Sequence, residues 1–238
     1  MDKFHAHGLF QSVALIVTGI RTKLLKPGDD LLMGIISLMG SQRIRLENGD
    51  ILAIASKAVA VAQNRVARLN SVTPSEEASR LAKEHDLDAC CVEIVLRESS
   101  EVYGGVWKTL LTATDELLVA DGGVDLKNAP EGYAVLLPDN PQETAESIRR
   151  RILHKYVKRT GVLSVDSHVT PLRRGTVGMT MGIAGMMPIG HYRSERDLYG
   201  KEIHVTTQAL ADDLASTAHL IMGETRADPS SPDNRRAR

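Results

Sequence analysis

The sequence predicts an α+β fold in which mixed or antiparallel sheets are flanked by helices. Short apolar runs such as ILAIAS and GVLSV have the length and composition of buried strands. Longer segments such as NPQETAESIRRRILHKYV carry acids at the start and basic residues at the end, as the helix dipole prefers. The 238 residues are 42% hydrophobic and 25% charged, which is typical of a soluble globular protein with a substantial core.

The first part of the chain contains two predicted strands and one helix. Residues 12–18 (SVALIVT) predict a first strand, and the Pro-Gly turn of GIRTKLLKPGDDL leads into a helix over residues 31–39. Asp29 is the expected cap or first-turn acid of that helix. After the turn LENGD, the run ILAIAS predicts a buried strand that ends at Ser56.

The middle of the chain is mainly helical by its capping signals. Thr73 or Ser75 caps a predicted helix that continues to about residue 85, with Pro74 near its first position. VEIVLRES fits a helix and a strand equally well. DELLVADGGVDLKN predicts a strand followed by a polar, glycine-rich loop, and NPQETAESIRRRILHKYV is the next helix.

The last part of the chain returns to strands before a final helix. GVLSV predicts one strand and GTVGMTMGIAG another, whose glycines allow close backbone approach. DDLASTAHLIMGE has the apolar spacing of the last helix. The polar composition beyond Gly223 predicts a disordered tail over residues 225–238. Residues 1–224 are expected to form one domain, with a division into two packed subdomains near residue 160 as an alternative.

Bulk properties exclude several classes of function. A net charge of -1 argues against broad nucleic-acid binding, and no run reaches the roughly 18 to 20 apolar residues that span a membrane. Cys90 and Cys91 are adjacent, a spacing that rarely forms a disulfide. These features together predict a cytoplasmic protein without nucleic-acid or membrane partners.

The segment VDSHVTPLRRG, residues 165–175, carries the densest chemistry in the chain. Asp166 and Ser167 are expected at the tip of the GVLSV strand, where their oxygens suit a hard divalent cation. Arg173 and Arg174 follow the turn and have the chemistry to clamp a phosphate or carboxylate. The alternative is that Asp166 caps a turn and that the arginines form weak surface ion pairs.

A second acidic loop, ADGGVDLKN, follows another apolar run and is expected to open onto the same cleft. Asp125 therefore joins Asp166 and Ser167 as a candidate metal ligand. The alternative is an Asx-type turn formed by Asp125 and Asn128. Lysines 23, 26 and 57 are candidates for neutralising phosphates, although the chain has neither a GxxxxGKS nor a GxGxxG motif after a strand.

Eight blocks of sequence occur in the order found in one family. They are GIRTKLLKPGDDL, ILAIASKAVAVAQNR, TPSEEASRLAKEHD, VLRESSEV, GGVDLKN, VLLPDNPQETAESIRRRI, VDSHVTPLRRGTVGMTMGIAG and RDLYGKEIHVTTQALADDLASTAHLIMGE. On these blocks the chain resembles the coenzyme F420-0:L-glutamate ligases, or gamma-glutamyl ligases, over roughly residues 12–224. The resemblance implies a homodimer with sites near the subunit interface. It also implies an enzyme that adds L-glutamate to F420-0 through an acyl phosphate, at the expense of GTP.

The same resemblance implies roles for particular residues. Two Mg²⁺ or Mn²⁺ ions are implied, the first bound by Asp125 and Asp166 and the second by Ser167 and Glu224, with K⁺ as a further candidate ion. Positions that match nucleotide-contacting residues of the family are Leu24, Leu25, Ser56, Asn128, Met222 and Gly223. Arg173 and Arg174 match basic residues that are assigned to substrate or phosphate binding.

Three departures from the family pattern bear on the nucleotide site. A lysine of the family falls on Val61, and the asparagine of the usual NAG is Asp121. The family continues past MGE with a glycine-rich segment, where this chain has a polar tail. Two alternatives follow: a family member that acts on another carboxylate, such as a folate-like acid or a natural product, and a non-catalytic protein that binds a nucleotide or cofactor.

Overall fold

The computed structural model describes residues 14–22, 24–114, 117–170 and 172–224. The described residues form an α+β fold with both parallel and antiparallel strand pairs, as predicted. The helices are α1 Leu31–Ser41, α2 Ser56–Ala62, α3 Glu76–His85, α4 Ala89–Glu98, α5 Pro141–Tyr156 and α6 Leu210–Met222. The strands are β1 Ile51–Ala55, β2 Val66–Arg68, β3 Glu101–Val106, β4 Thr109–Ala113, β5 Leu118–Ala120, β6 Tyr133–Val135, β7 Gly161–Val169, β8 Thr176–Ala184, β9 Gly190–His191 and β10 Thr207–Gln208.

The main sheet has the strand order β1-β7-β8. β1 and β7 are parallel and paired from Ile51↔Gly161 to Ala55↔Val165. β7 and β8 form a long antiparallel hairpin that closes at Val169↔Thr176. The prediction that this strand is GVLSV, ending at Val165 with Asp166 and Ser167 at its tip, was therefore wrong about where the strand ends. Pairing with β8 satisfies the backbone of four further residues, so β7 continues through Val169 after its parallel partner has ended.

Helices cover both faces of the main sheet. Leu52, Ile54 and Val162 pack in a core with buried residues of α1 and α5. Leu163 and Val165 point the other way and pack against the buried alanines of α6. Successive side chains of a strand alternate between the two faces, and both faces of this sheet are covered by helices. β7 is therefore apolar at every position from 162 to 165 except Ser164.

Two glycines of β8 allow the helices to approach the strand closely. A Cβ atom at Gly182 would lie 2.2 Å from the carbonyl oxygen of Pro141, the first residue of α5. A Cβ atom at Gly178 would lie 2.2 Å from the carbonyl oxygen of Ala215 in α6. The predicted use of these glycines for close backbone approach is confirmed.

A second group of elements contains the antiparallel sheet β3-β4-β5 and helices α3 and α4. Leu110 of β4 is fully buried against Val92 and Val95 of α4. On the other face of the sheet, Leu111 and Leu118 are exposed. Among the described residues, helices thus cover only one face of this sheet. β2 and β6 form a short antiparallel pair, as do β9 and β10.

Several helix predictions are confirmed, with corrections at their ends. α1 is capped by Asp30, whose Oδ1 accepts the amide of Met33, and not by Asp29, whose carboxylate closes the preceding turn at Lys26. Ser75 caps α3, and Pro74 precedes the cap instead of opening the helix. VEIVLRES belongs to helix α4.

Two segments differ from the predictions more strongly. Residues 14–18 form no strand and their apolar side chains are exposed, with Ile16 at 86%. An apolar run forms a strand only where a neighbour completes its hydrogen bonds, and the described residues offer this run no such neighbour. Residues 12–13 lie outside the described residues. Helix α2 was not predicted: the ILAIAS strand was expected to end at Ser56, whereas β1 ends at Ala55 and Ser56 is the first residue of α2.

The remaining predictions concern the C-terminal tail, the two cysteines and membrane-spanning segments. The tail over residues 225–238 lies outside the described residues. Cys90 and Cys91 are both free, as their adjacency predicted. None of the helices among the described residues is long and apolar enough to cross a membrane.

Candidate active site

Asp166 lies where the parallel half of the main sheet ends. β1 pairs with β7 only as far as Val165, so Asp166 is the first residue of β7 with a neighbour on one side alone. Strand alternation directs its side chain to the same face as Val162 and Ser164. The side chain is 15% exposed, which leaves a carboxylate at the edge of the core with limited access to water.

Lys57 is the direct partner of this carboxylate. It is the second residue of α2, which follows β1 without a loop. Its Nζ lies 3.5 Å from Oδ2 of Asp166 and donates a hydrogen bond of 2.5 Å to the carbonyl oxygen of Gly123. The Lys57 side chain is only 17% exposed. One ammonium group therefore joins β7 to the loop that follows β5.

That loop is the second acidic segment singled out from the sequence. Gly122 and Gly123 have φ angles of 59° and 70°, in the left-handed region that glycine adopts without a Cβ clash. Asp125 lies two residues beyond Gly123. Its carboxylate accepts the amide of Lys127 at 2.8 Å and Nδ2 of Asn128 at 3.2 Å. Asp125 and Asn128 thus form the Asx-type turn considered above, while a carboxylate with two oxygens keeps lone pairs for a cation.

Ser167 and Glu224 lie on the opposite face of the β7-β8 hairpin. Ser167 pairs with Gly178, above which α6 packs, so strand alternation places its side chain on the α6 face. Glu224 follows the end of α6, and its Oε1 accepts a hydrogen bond from the Thr176 hydroxyl. Nε2 of His219 lies 3.1 Å from the same oxygen. The hairpin therefore separates Asp166 from Ser167 and Glu224.

Ser56 and Ser164 present buried hydroxyls to the interior near this site. Ser56 opens α2 next to Lys57, and Ser164 precedes Asp166 by two residues on the same face of β7. Both residues are almost completely buried, and neither Oγ has a hydrogen-bond partner among the described residues. Buried hydroxyls are normally bonded, so these two are consistent with a site that receives further polar groups.

Other predicted contact residues lie farther from Asp166. Arg173 and Arg174 are exposed in the loop that closes the hairpin. β7 continues for three residues beyond Asp166, so about 10 Å of strand separates the backbone of Asp166 from the start of this loop. Leu24 is exposed, whereas Leu25 is half-buried against the core of α1 and α5.

The remaining residues of interest are those at the C-terminal end of α6 and the two positions, Asp121 and Val61, at which the chain departs from the family pattern. Met222 packs against the core under α6, and Gly223 is the residue that ends this helix. Asp121 accepts the amide of Leu110 at 2.7 Å through Oδ1, and burial raises the pKa of this carboxyl. Its charge is thus directed into the β4-β5 region. Val61 is a half-buried residue of α2 and supplies no charge.

The donor atoms suit a hard cation. The carboxylates of Asp125 and Asp166 and the Gly123 carbonyl are all oxygen ligands, which Mg²⁺ and Mn²⁺ prefer. Among the described residues, no three or more His, Cys, Asp or Glu form a group that could hold a metal ion. A metal here would complete its coordination with water or phosphate oxygens. The Lys57 ammonium already stands between two of these oxygens, which shows that the position accepts positive charge.

The sequence had suggested Lys57 as a phosphate-neutralising charge but not its contact with Asp166. The usable signal was its position directly after a buried strand that is parallel to the strand of Asp166. His219 was missed altogether. A histidine one turn before MGE in a helix carries no chemical signal until tertiary structure sets it beside Glu224.

Comparisons with known proteins place this chain in the class of ligases that form carbon–nitrogen bonds. Coenzyme F420:L-glutamate ligase of Archaeoglobus fulgidus is 38% identical over 84% of this chain and 79% of its own length. The proteins of the same name from Methanopyrus kandleri and Methanothermobacter thermautotrophicus are each 36% identical. These two matches cover 87% and 84% of this chain, and 80% of each relative.

The sequence model of the F420-0:gamma-glutamyl ligase family matches residues 19–230. The chain therefore belongs to the F420-0:gamma-glutamyl ligase family. The resemblance derived from the eight sequence blocks is confirmed, and so is the prediction of a ligase.

Proposed function

We propose that this protein adds L-glutamate to coenzyme F420-0 in a reaction that consumes GTP and requires a divalent metal. The relatives are named as ligases that join L-glutamate to coenzyme F420. The observation that carries the proposal for this chain is the contact of Lys57 with both Gly123 and Asp166. It joins the two acidic segments through one ammonium group, so that the Asp166 carboxylate and a positive charge meet in one partly buried place.

The proposed chemistry is activation of a carboxylate by phosphoryl transfer. An oxygen of the F420-0 carboxylate attacks the γ-phosphorus of GTP, the bond to the β-phosphate oxygen breaks, and GDP leaves. The amine of L-glutamate then attacks the acyl carbon of the acyl phosphate, and inorganic phosphate leaves as the amide forms and the amine loses a proton. Both steps move negative charge between phosphate oxygens, so the site must stabilise that charge.

The residues that would hold two Mg²⁺ or Mn²⁺ ions are Asp125 with Asp166 and Ser167 with Glu224. When bound, such ions neutralise phosphate charge and polarise the transferring group. The separation of Asp166 from Ser167 and Glu224 by the β7-β8 hairpin supports two positions instead of one shared cluster. K⁺ is proposed as an additional ion on the resemblance alone.

The nucleotide and substrate contacts are proposed around the same hairpin. The buried, unpartnered Ser56 hydroxyl supports a phosphate or ribose contact at the start of α2. Lys57 supplies the positive charge that Val61 does not. Arg173 and Arg174, exposed at the end of the hairpin, are suited to the distal acidic groups of a substrate.

The test is an assay of the purified protein with GTP, Mg²⁺ or Mn²⁺, L-glutamate and F420-0. We expect GDP and a product heavier by one glutamyl unit, detected by mass spectrometry. Omission of glutamate or of metal should remove the product. If no GDP and no glutamyl product form while other carboxylates are glutamylated, F420-0 is not the acceptor. Binding of GTP without turnover on any acceptor would identify a binding protein.

We also propose that the protein is a homodimer. Apolar side chains at Leu15, Ile16 and Val17 are exposed in an extended segment that joins no sheet among the described residues. A second exposed apolar feature is a tight turn in which Asp197 accepts two backbone amides and presents Leu198 and Tyr199 fully to solvent. Exposed apolar groups on ordered backbone are typical of protein interfaces.

Light scattering after size-exclusion chromatography tests the dimer. We expect twice the 25.9 kDa chain mass for the wild type. Leu198→Asp combined with Tyr199→Asp should shift the protein toward the monomer. Leu111→Asp, on the exposed face of the other sheet, is the matched control and should leave the mass unchanged. A monomeric wild type at micromolar concentration would refute the proposal.

A further inference from the structure

Lys57 occupies an unusual position for a lysine in a proposed metal site. Its ammonium lies between a carboxylate oxygen of Asp166, at 3.5 Å, and the carbonyl oxygen of Gly123, at 2.5 Å. Both oxygens are of the kind that a hard divalent cation binds. The side chains of Lys57 and Asp166 are 17% and 15% exposed, so water screens this pair only in part.

We propose that Lys57 is an internal cation that holds the metal-free site together and that a divalent ion must displace it from Asp166. The inference rests on the proposed metal-binding role of Asp166. In the metal-free protein the ammonium compensates the half-buried carboxylate and ties β7 to the loop at Gly123. In the metal-loaded protein the same ammonium keeps its contact with the Gly123 carbonyl and withdraws from Asp166.

Electrostatics gives the direction of this effect. A positive unit charge within several Å of a divalent cation repels it and so opposes its binding. This repulsion is stronger in a partly buried site than in water. The flexible four-carbon stem of a lysine allows the ammonium to withdraw from Asp166 without movement of α2. Lys57 is therefore expected to lower the affinity of the site for a divalent metal ion. Before the metal binds, it keeps the two acidic segments in place.

The experiment measures binding of Mn²⁺ alone, without nucleotide or F420-0, by calorimetry. Lys57→Met removes the charge and keeps an unbranched apolar chain, and we expect it to bind Mn²⁺ about tenfold more tightly than the wild type. Lys57→Arg keeps the charge and should bind no more tightly than the wild type. Lys108→Met is the matched control, because Lys108 also pairs with an aspartate, Asp86 at 3.3 Å, but on the β3-β4 turn.

A second measurement separates displacement from general damage to the fold. Without metal, Lys57→Met should unfold at a lower temperature than the wild type, because Asp166 loses its compensating charge. Saturating Mn²⁺ should raise its unfolding temperature by more than it raises that of the wild type, since tighter binding stabilises the folded state further. Lys108→Met should show the wild-type increment.

The outcomes distinguish this inference from the proposed function. Equal or weaker Mn²⁺ affinity in Lys57→Met, with normal binding by the wild type, overturns the displacement alone. Absence of Mn²⁺ binding in the wild type overturns the metal assignment of Asp166 and the displacement with it. Failure of glutamyl transfer to F420-0, with Mn²⁺ binding as expected, overturns the proposed acceptor and leaves the displacement supported.

Discussion

The two three-stranded sheets of this protein differ in how they are covered and in the surroundings of an aspartate that follows an apolar run. The β1-β7-β8 sheet lies between α5 on one face and α6 on the other, whereas β3-β4-β5 is covered on one face only. Asp166, beyond the parallel part of the first sheet, faces a lysine. Asp121, directly after β5 of the second, accepts the amide of Leu110.

The comparison shows that the same sequence pattern leads to two chemical environments. Both aspartates follow an apolar run of strand length. Asp121 adopts a φ of 52° and turns back to the neighbouring strand, so its carboxylate completes the sheet. Asp166 stays in an extended strand whose neighbour β1 has ended, so its side chain is available to another segment. The end of the neighbouring strand, not the aspartate itself, makes the difference.

The largest expected effect is on turnover. Asp166→Asn keeps the shape of the side chain but removes the charge that would bind a metal, so we expect the rate of glutamyl transfer to fall on the order of 10³-fold. Asp121→Asn should retain most of the activity. Steady-state assays of both variants, with circular dichroism to verify folding, make the comparison. Wild-type turnover by Asp166→Asn would remove this residue from the site.

The next largest effect concerns the doubly covered sheet. Gly182→Ala would place a Cβ 2.2 Å from the Pro141 carbonyl oxygen, so α5 or β8 must shift. We expect a loss of about 1–3 kcal/mol in the free energy of unfolding, measured by urea denaturation. Gly34→Ala is the control, because its Cβ would meet nothing within 4 Å in α1. That variant should gain about 0.5–1 kcal/mol, and equal stability of the two variants would contradict the close packing.

A smaller effect, on the pH dependence of stability, is expected at the β3-β4-β5 sheet. Burial raises the pKa of Asp121 above its usual 3.8, so this carboxyl stabilises the fold fully below pH 3.8. That contribution is lost as the pH rises through the raised pKa. Asp121→Asn keeps an oxygen for the Leu110 amide and tolerates the positive φ, so it should be more stable than the wild type at pH 7.

Thermal unfolding at a series of pH values measures this effect. The profile of Asp121→Asn should be flatter than that of the wild type just above pH 3.8. Asp50→Asn is the matched control, because its carboxylate also accepts a backbone amide, from Glu47, but is exposed. A loss of stability at pH 7 in Asp121→Asn would show that the charged carboxylate is favourable there.

The smallest expected effect is on the reactivity of Cys91 in α4, the helix that packs against the β3-β4-β5 sheet. It does not involve a change in stability. Burial raises the pKa of the Cys91 thiol to about 11, so it stays protonated at pH 8. In a Cys90→Ser protein, we expect Cys91 to react with iodoacetamide very slowly when folded and rapidly in urea. Mass spectrometry follows the labelling. Rapid labelling of the folded protein would show that α4 does not pack as described.

Local patterns were sufficient for most helices and for the strands of the main sheet. The acidic start and basic end of α5 and the serine cap of α3 act within a few residues, so the sequence alone reveals them. The apolar run at residues 14–18 failed as a strand because strand formation depends on a neighbour. The end of β7 was misplaced for the same reason, since β8 extends it to Val169.

The sequence by itself determined the family, the α+β class and which acids follow apolar runs. Only the tertiary structure decided which acid faces a cation. Lys57 meets Gly123 across 66 residues of chain, and no local pattern encodes such a contact. Asp121 and Asp166 differ because hydrogen bonding and burial depend on which strand lies alongside, a property of the folded sheet and not of the residues on either side.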